Sequence, residues 1–331
     1  MKIFKIALLT TMLTAGGLLA AVDGTVTNRT NGKPQADATV TIIKLGSGME
    51  TVASAKSDAS GKFSIAQELQ PGTPYLVQTL YEGVTYNKAI PPGSPATALN
   101  VDVFDASANK GDAKVAQHMI LLEPSGTDLG VNESVVYSNT GKTTYSDPAG
   151  TFRFYLPPGA NGQVKVQVTG PQGMPIAREA VKTKEPNVYA VSYPVKPGET
   201  RFDLGYTVPS PSPGTFESKL LHGGGPVRLV VPKGVKLEGD NIKDLGPEPR
   251  TQASIYDVTG NQYKVQFTGT GSLRAAAEAA QPGGEDTGPG IEESKPRIYD
   301  RIYPVVGLAA FILLLGFTLL YRMVPETKKR T

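Results

Sequence analysis

Between residues 22 and 271 the chain sustains no long apolar repeat of 3.6 residues, and that constrains its fold more than any other feature. Strand-like runs recur instead, roughly every 8–15 residues. Ala38 to Leu45, Gln163 to Val168 and Val227 to Val231 are three of them. The second alternates apolar and polar residues, so one face is buried and the other wet. Only Leu273 to Ala280 reads as helical, and it is short for an isolated helix. Gly 37 and Pro 27 make up nearly a fifth of the 331 residues, against roughly 12 % in average usage. With no low-complexity tract to absorb them, they mark tight turns. The expected class is all-β.

A weak internal repeat supports this. Ser57-Asp58-Ala59-Ser60-Gly61-Lys62-Phe63 matches Ser146-Asp147-Pro148-Ala149-Gly150-Thr151-Phe152. Each copy runs on to a second turn, Pro71-Gly72 and Pro158-Gly159. Asp suits the first position of a type I turn, Pro the second and Gly the fourth. Phe63 and Phe152 are then expected to open strands and point inward. A calcium loop would need several carboxylates at alternating positions, whereas Asp58 and Asp147 stand alone.

Around the first copy lie Asp23-Gly24-Thr25-Val26, Gly32-Lys33-Pro34, Ala36-Asp37-Ala38-Thr39-Val40 and Pro71-Gly72-Thr73-Pro74-Tyr75. Together these make residues 22–104 resemble the carboxypeptidase regulatory-like domain, a transthyretin-like β-sandwich. The resemblance implies a seven-stranded, non-catalytic accessory module of exported bacterial proteins. Residues 113–208 look like a degenerate second copy, closed by Val195 to Thr200 and Tyr206 to Pro209. The expected architecture is therefore tandem Greek-key β-sandwich domains, Ig-like or transthyretin-like, plus one C-terminal transmembrane helix. Pro209-Ser210-Pro211-Ser212-Pro213-Gly214 reads as a stiff linker. Residues 215–271 form a small β unit, and residues 274–300, rich in Ala, Gly, Glu and Pro, a disordered stalk.

The two ends set the expected location. Lys2 and Lys5, an apolar stretch and Gly16 to Ala21 have the order of a signal peptide over residues 1–21, cut after Ala20 or Ala21. Ile302 to Tyr321 carries no formal charge and is long enough as a helix, about 30 Å, to cross a bilayer. Tyr299, Tyr303 and Tyr321 sit where interfacial aromatics belong, and Arg322, Lys328, Lys329 and Arg330 follow. The expectation is a single-pass inner-membrane protein, its bulk periplasmic and its basic tail, 322–331, cytoplasmic.

Charge and composition exclude several classes. Residues 21–273 hold 23 basic and 23 acidic residues, so there is no basic field for nucleic acid. Without cysteine there are no disulfides, thiolate nucleophiles or iron–sulfur clusters. The two histidines, His118 and His222, are far apart in sequence, which argues against a histidine-rich metal centre. His222-Gly223-Gly224-Gly225 has the form of an esterase oxyanion loop, but no Gly-x-Ser-x-Gly elbow accompanies it; it reads as a hairpin loop. His118 reads as a strand residue. Tyr81, Tyr86, Tyr137 and Tyr145 offer a sugar-binding face or, equally well, cross-strand packing. Asn28-Arg29-Thr30 and Asn132-Glu133-Ser134 fit the glycosylation pattern.

No residue is assigned a catalytic, cofactor or metal role, and no cofactor is expected. The expected function is a non-catalytic, membrane-anchored scaffold that presents β-sandwich modules to an envelope or membrane protein partner. The alternatives are an adhesin or carbohydrate-binding surface protein, with a glycan as the less favoured partner, and a hydrolase with an unrecognised carboxylate site.

Overall fold

The computed structural model describes residues 22–46, 48–171 and 173–273. The expected signal peptide, stalk, membrane span and basic tail lie outside them. Among the described residues no helix is long and apolar enough to cross a membrane.

The all-β expectation is met, in sandwich form. The first module comprises β1 (Val22–Asn28), β2 (Lys33–Pro34), β3 (Thr39–Leu45), β4 (Met49–Lys56), β5 (Lys62–Ile65), β6 (Tyr75–Tyr81), β7 (Val84–Ile90) and β8 (Leu99–Val103). One sheet joins β2, β1 and β5, with β8 added parallel to β1; the other runs β4-β3-β6-β7. Strict alternation along β1 and β8 buries Val22, Val26, Leu99, Val101 and Val103. Gly24 is obligatory at the parallel pairing, because a Cβ there would lie 2.1 Å from the Leu99 carbonyl oxygen.

After β9 (Ala106–Ser107) come two long strands, β10 (Ala113–Ser125) and β11 (Asp128–Asn139). Then follow β12 (Thr144–Tyr145), β13 (Phe152–Tyr155), β14 (Lys165–Thr169), β15 (Ile176–Arg178), β16 (Val181–Lys182), β17 (Val188–Val191) and β18 (Gly198–Pro209). The last stretch holds β19 (Gly214–Lys219), β20 (Val227–Val231), β21 (Lys236–Glu238), β22 (Ile242–Pro247), β23 (Ser254–Val258) and β24 (Gln262–Thr268). The main sheet has eight strands in the order β15-β14-β18-β11-β10-β20-β23-β22. It therefore passes without a break from the expected second sandwich into residues 215–271, through the parallel pair β10–β20. Two three-stranded sheets, β13-β17-β16 and β19-β24-β21, complete this region. One apolar core runs through all of it, and Phe152 packs on Phe202 with ring centroids 4.7 Å apart.

Both repeat turns form as expected. The Asp58 and Asp147 carbonyls accept from the N–H of Gly61 and Gly150, and their side chains accept from Ser60 and Ala149 N–H at 2.8 Å. The Ser60 hydroxyl and the Lys62 N–H also donate to Asp58 and hold its carboxyl below the usual range. Phe152 opens β13, Phe63 stands second in β5, and they are 1 % and 3 % exposed.

Two loop readings need correction. The stiff linker expected at residues 209–214 does join β18 to β19, but it is docked and not a spacer: Ser210 is buried, its N–H donates to the Thr127 carbonyl, and Ser212 Oγ donates to the Gly269 carbonyl at 2.8 Å. Proline fixes a backbone angle but not solvent exposure, and these bonds dock the segment. The His222–Gly225 run is not a hairpin loop either. It carries the chain from β19 in one sheet to β20 in another.

Candidate functional site

Sequence patterning hides the most unusual chemistry. Along β11 the inward row is Leu129, Val131, Glu133, Val135 and Tyr137, so a carboxylate sits mid-row on an apolar face, 7 % exposed. Burying it is costly unless it is paired and hydrogen-bonded. Tyr206, inward on β18, donates its hydroxyl to Glu133 Oε1 at 2.6 Å. On the other side His118 Nε2 lies 2.9 Å from Glu133 Oε2.

A bulge is what turns His118 inward. The β10–β11 register slips between Val115 and Gln117, leaving Ala116 as the extra residue. Val115 and His118 consequently share the core face, which an unbroken alternation would forbid. The glycine run caps this bulge. A Cβ on Gly225, whose φ is +73°, would lie 2.6 Å from the Val115 carbonyl oxygen, and the Pro226 carbonyl accepts the His118 N–H. The run thereby brings His222 Nε2 to 2.8 Å from His118 Nδ1.

The tautomers follow from the partners. A carboxylate only accepts, so His118 donates from Nε2 and its Nδ1 accepts from His222 Nε2–H. The result is a relay, Tyr206–Glu133–His118–His222, from the core to a half-buried ring. Burial first, then the coupling to the His118 ring, since two positive charges side by side repel, lowers the His222 pKa to about 4. Burial and the Glu133 carboxylate push the Tyr206 and Tyr263 hydroxyls well up, so both stay protonated. Chemically the relay can orient and share protons. The residues it joins belong to β10, β11, β18 and the β19–β20 connection, so it fastens the last β strands to the second sandwich.

A second polar centre joins the first module to the second. The Lys196 ammonium donates to the Thr85 carbonyl and lies over the Tyr86 ring, 5.1 Å from its centroid. Burial lowers its pKa to about 8. The Tyr86 hydroxyl donates to the Phe104 carbonyl at 2.8 Å and meets Thr144 Oγ1 at 2.9 Å. Strands β9 and β12 pair alongside. Asp105 Oδ1 accepts from Asn28 Nδ2 at 2.6 Å and from the Tyr81 hydroxyl at 3.0 Å, and Thr30 Oγ1 donates to the Lys142 carbonyl.

The residues weighed from sequence are thus redistributed. His118 is a strand residue, as expected, but it meets His222, 104 positions further along the chain. The four tyrosines form no common sugar-binding face: Tyr86, Tyr137 and Tyr145 are at most 5 % exposed and lie in two separate cores. Asn28 is 1 % exposed and hydrogen-bonded within the fold, so it is no glycan acceptor. Among the described residues, no group of three or more His, Asp or Glu side chains is placed to hold a metal. Glu133, Tyr206 and Lys196 were missed. The available signal was an acid on the apolar row of a long alternating strand.

No protein-family model matches the chain, and no curated protein does. Among solved structures it is similar to an M1 zinc metallopeptidase from Deinococcus radiodurans, at 13 % identity and a TM-score of 0.25, over 47 % of this chain and 42 % of that one. A mutant of that enzyme bound to a Tyr-ser-ala substrate gives 15 % identity and a TM-score of 0.28, with the same coverage. The chain spans about two fifths of the length of these structures. A likeness at this level says nothing of the chemistry of this chain.

Proposed function

We propose that the chain is a non-catalytic scaffold of the cell envelope, exported by residues 1–21, anchored by residues 302–321, and holding tandem transthyretin-like β-sandwiches at a fixed angle toward a protein partner. One observation carries the reading: the buried polar groups bond module to module. Lys196, Tyr86 and Thr144 tie the first sandwich to the second, and the Glu133 relay ties the last strands to the second. A buried polar group with its partners in place specifies one arrangement, since any other leaves it unsatisfied. Fixed geometry is what a presenting scaffold needs.

The test is crosslinking of the full chain in native membranes, beside the paired variants Tyr86→Phe and Thr144→Val. The expected result is one partner captured in fixed ratio by the parent and at least threefold less by the double variant. Protease added to spheroplasts should digest the bulk of the chain. Equal capture by a loosened junction, or full protection from protease, would overturn the scaffold reading.

A further inference from the structure

The outer face of the main sheet carries two mid-strand glycines that the fold does not require. Gly130 of β11 pairs with Thr207, and Gly205 of β18 pairs with Asn132 on one side and Lys165 of β14 on the other. Neither has a positive φ. A Cβ on Gly130 would meet the Glu123 carbonyl oxygen at 3.5 Å, an ordinary contact. On Gly205 it would meet only the Asn132 side-chain oxygen at 3.3 Å, the movable end of a side chain. Gly24 and Gly225, by contrast, have backbone oxygens 2.1 and 2.6 Å from the same hypothetical atom. Glycine weakens a strand interior and marks a place where something else approaches the backbone. At Gly130 and Gly205 nothing among the described residues does.

The two bare positions form the floor of a groove of about 700 Å³, within the range of small-ligand sites. The 159–164 segment makes its wall, with Asn161 at φ +50°. Asn132, Asn161, Gln163 and Thr207 bring amides and a hydroxyl to it, and Asp128 and Lys165 bring one charge of each sign. Amides and hydroxyls both donate and accept, which is the pattern that vicinal hydroxyls match. The sheet's own ladder bonds on both sides of β11 and β18 occupy the backbone of the floor. An added peptide strand therefore finds no free edge here, and a ligand must be held by these side chains.

We propose that this groove binds a neutral oligosaccharide, with sugar rings lying across Gly130 and Gly205. The proposal does not depend on the scaffold reading. Its test is a panel of neutral oligosaccharides, α- and β-linked glucose, N-acetylglucosamine, mannose and galactose tetramers, titrated against the full chain by ligand-observed NMR. Gly130→Ala, Gly205→Thr and Asn132→Ala accompany it, with a thermal melt of each. The expected result is saturable binding of at least one tetramer, weakened tenfold or more by Gly205→Thr and Asn132→Ala, while both glycine variants melt no lower than the parent. Binding by no tetramer, binding indifferent to Gly205→Thr and Asn132→Ala, or a marked fall in the melting temperature of Gly130→Ala and Gly205→Thr would overturn it.

Discussion

The first module and the larger region after it solve the same packing problem differently. The core of residues 22–103 buries no charged side chain: Val26, Val40, Ile42 and Val77 are fully buried, Ser57 and Thr79 bury only hydroxyls, and Asn28 and Tyr81 donate to Asp105 at its edge. The core of residues 113–267 admits a carboxylate and an imidazole into its apolar rows. An apolar core tolerates rearrangement so long as volume and patterning are kept. A buried carboxylate with two set partners does not, because a shifted register strands it. The comparison teaches that the second region is specified by a few polar contacts, and the first by pattern.

The sharpest way to break this comparison is Glu133→Ala. It leaves the His118 and Tyr206 donors buried without their shared acceptor, and each buried donor left unsatisfied costs about 1–3 kcal/mol, about 2–6 kcal/mol for the two. Chemical denaturation should show that loss for Glu133→Ala, with non-additive coupling to His118→Ala. A loss below about 1 kcal/mol would mean that the relay fastens nothing. Next in size comes Phe63→Ala in the first core. With its ring 3 % exposed, a cost of about 3–5 kcal/mol is expected, from transfer and cavity alone. It should be independent of pH between 4 and 7, unlike anything that touches the relay.

How much of this was legible in sequence follows from the same contrast. The all-β class, the Asp58 and Asp147 turns and the inward Phe63 and Phe152 are local, set by residues within seven positions of one another. The relay is not local. It needs the Ala116 bulge, which leaves no mark in the alternation Val115-Ala116-Gln117-His118, and a histidine 104 positions from its partner. The same holds for the junction, where Lys196 meets Thr85 across 111 positions. The tyrosines stayed open between two readings because residue type shows that a ring will be placed on a sheet face but not which face; Tyr86, Tyr137 and Tyr145 took the inner one.

A pH titration sharpens the comparison further. His222 titrates near 4 in the folded chain because burial and His118 oppose its charge, and near 6.5 when unfolded. Between these values the unfolded chain binds more protons, so stability falls as the pH drops from 6.5 toward 4 and is fully present above 6.5. The ring is half-buried, and after discounting for solvent screening the loss comes to about 1–2 kcal/mol. Denaturant midpoints measured at pH 7 and pH 4.5 should show it, and His222→Ala should remove this part of the slope. A slope unchanged by His222→Ala would place the acid sensitivity elsewhere.

The smallest effect is expected at the junction between the modules, where the two regions meet. Tyr86→Phe removes one hydroxyl from between the Phe104 carbonyl and Thr144 Oγ1, and a neutral hydrogen bond of this kind contributes about 1 kcal/mol. The ring stays, so the contact with the Lys196 ammonium stays with it. Lys196 adds a pH signature of opposite reach to that of His222. Its folded pKa, lowered to about 8 by burial, lies below the usual 10.4, so the unfolded chain again binds more protons between the two values. Stability therefore rises as the pH climbs from 8 toward 10.4, as the buried ammonium is relieved of its charge. Lys196→Met keeps the stem and removes the charge. It should abolish that alkaline rise while leaving the Glu133 relay and the acid slope of His222 intact, which calorimetric melts at pH 7 and 9.5 can separate. If Lys196→Met instead altered the acid slope, the two polar centres would be coupled through β10 and β11, and the junction could no longer be treated as separate from the core it adjoins.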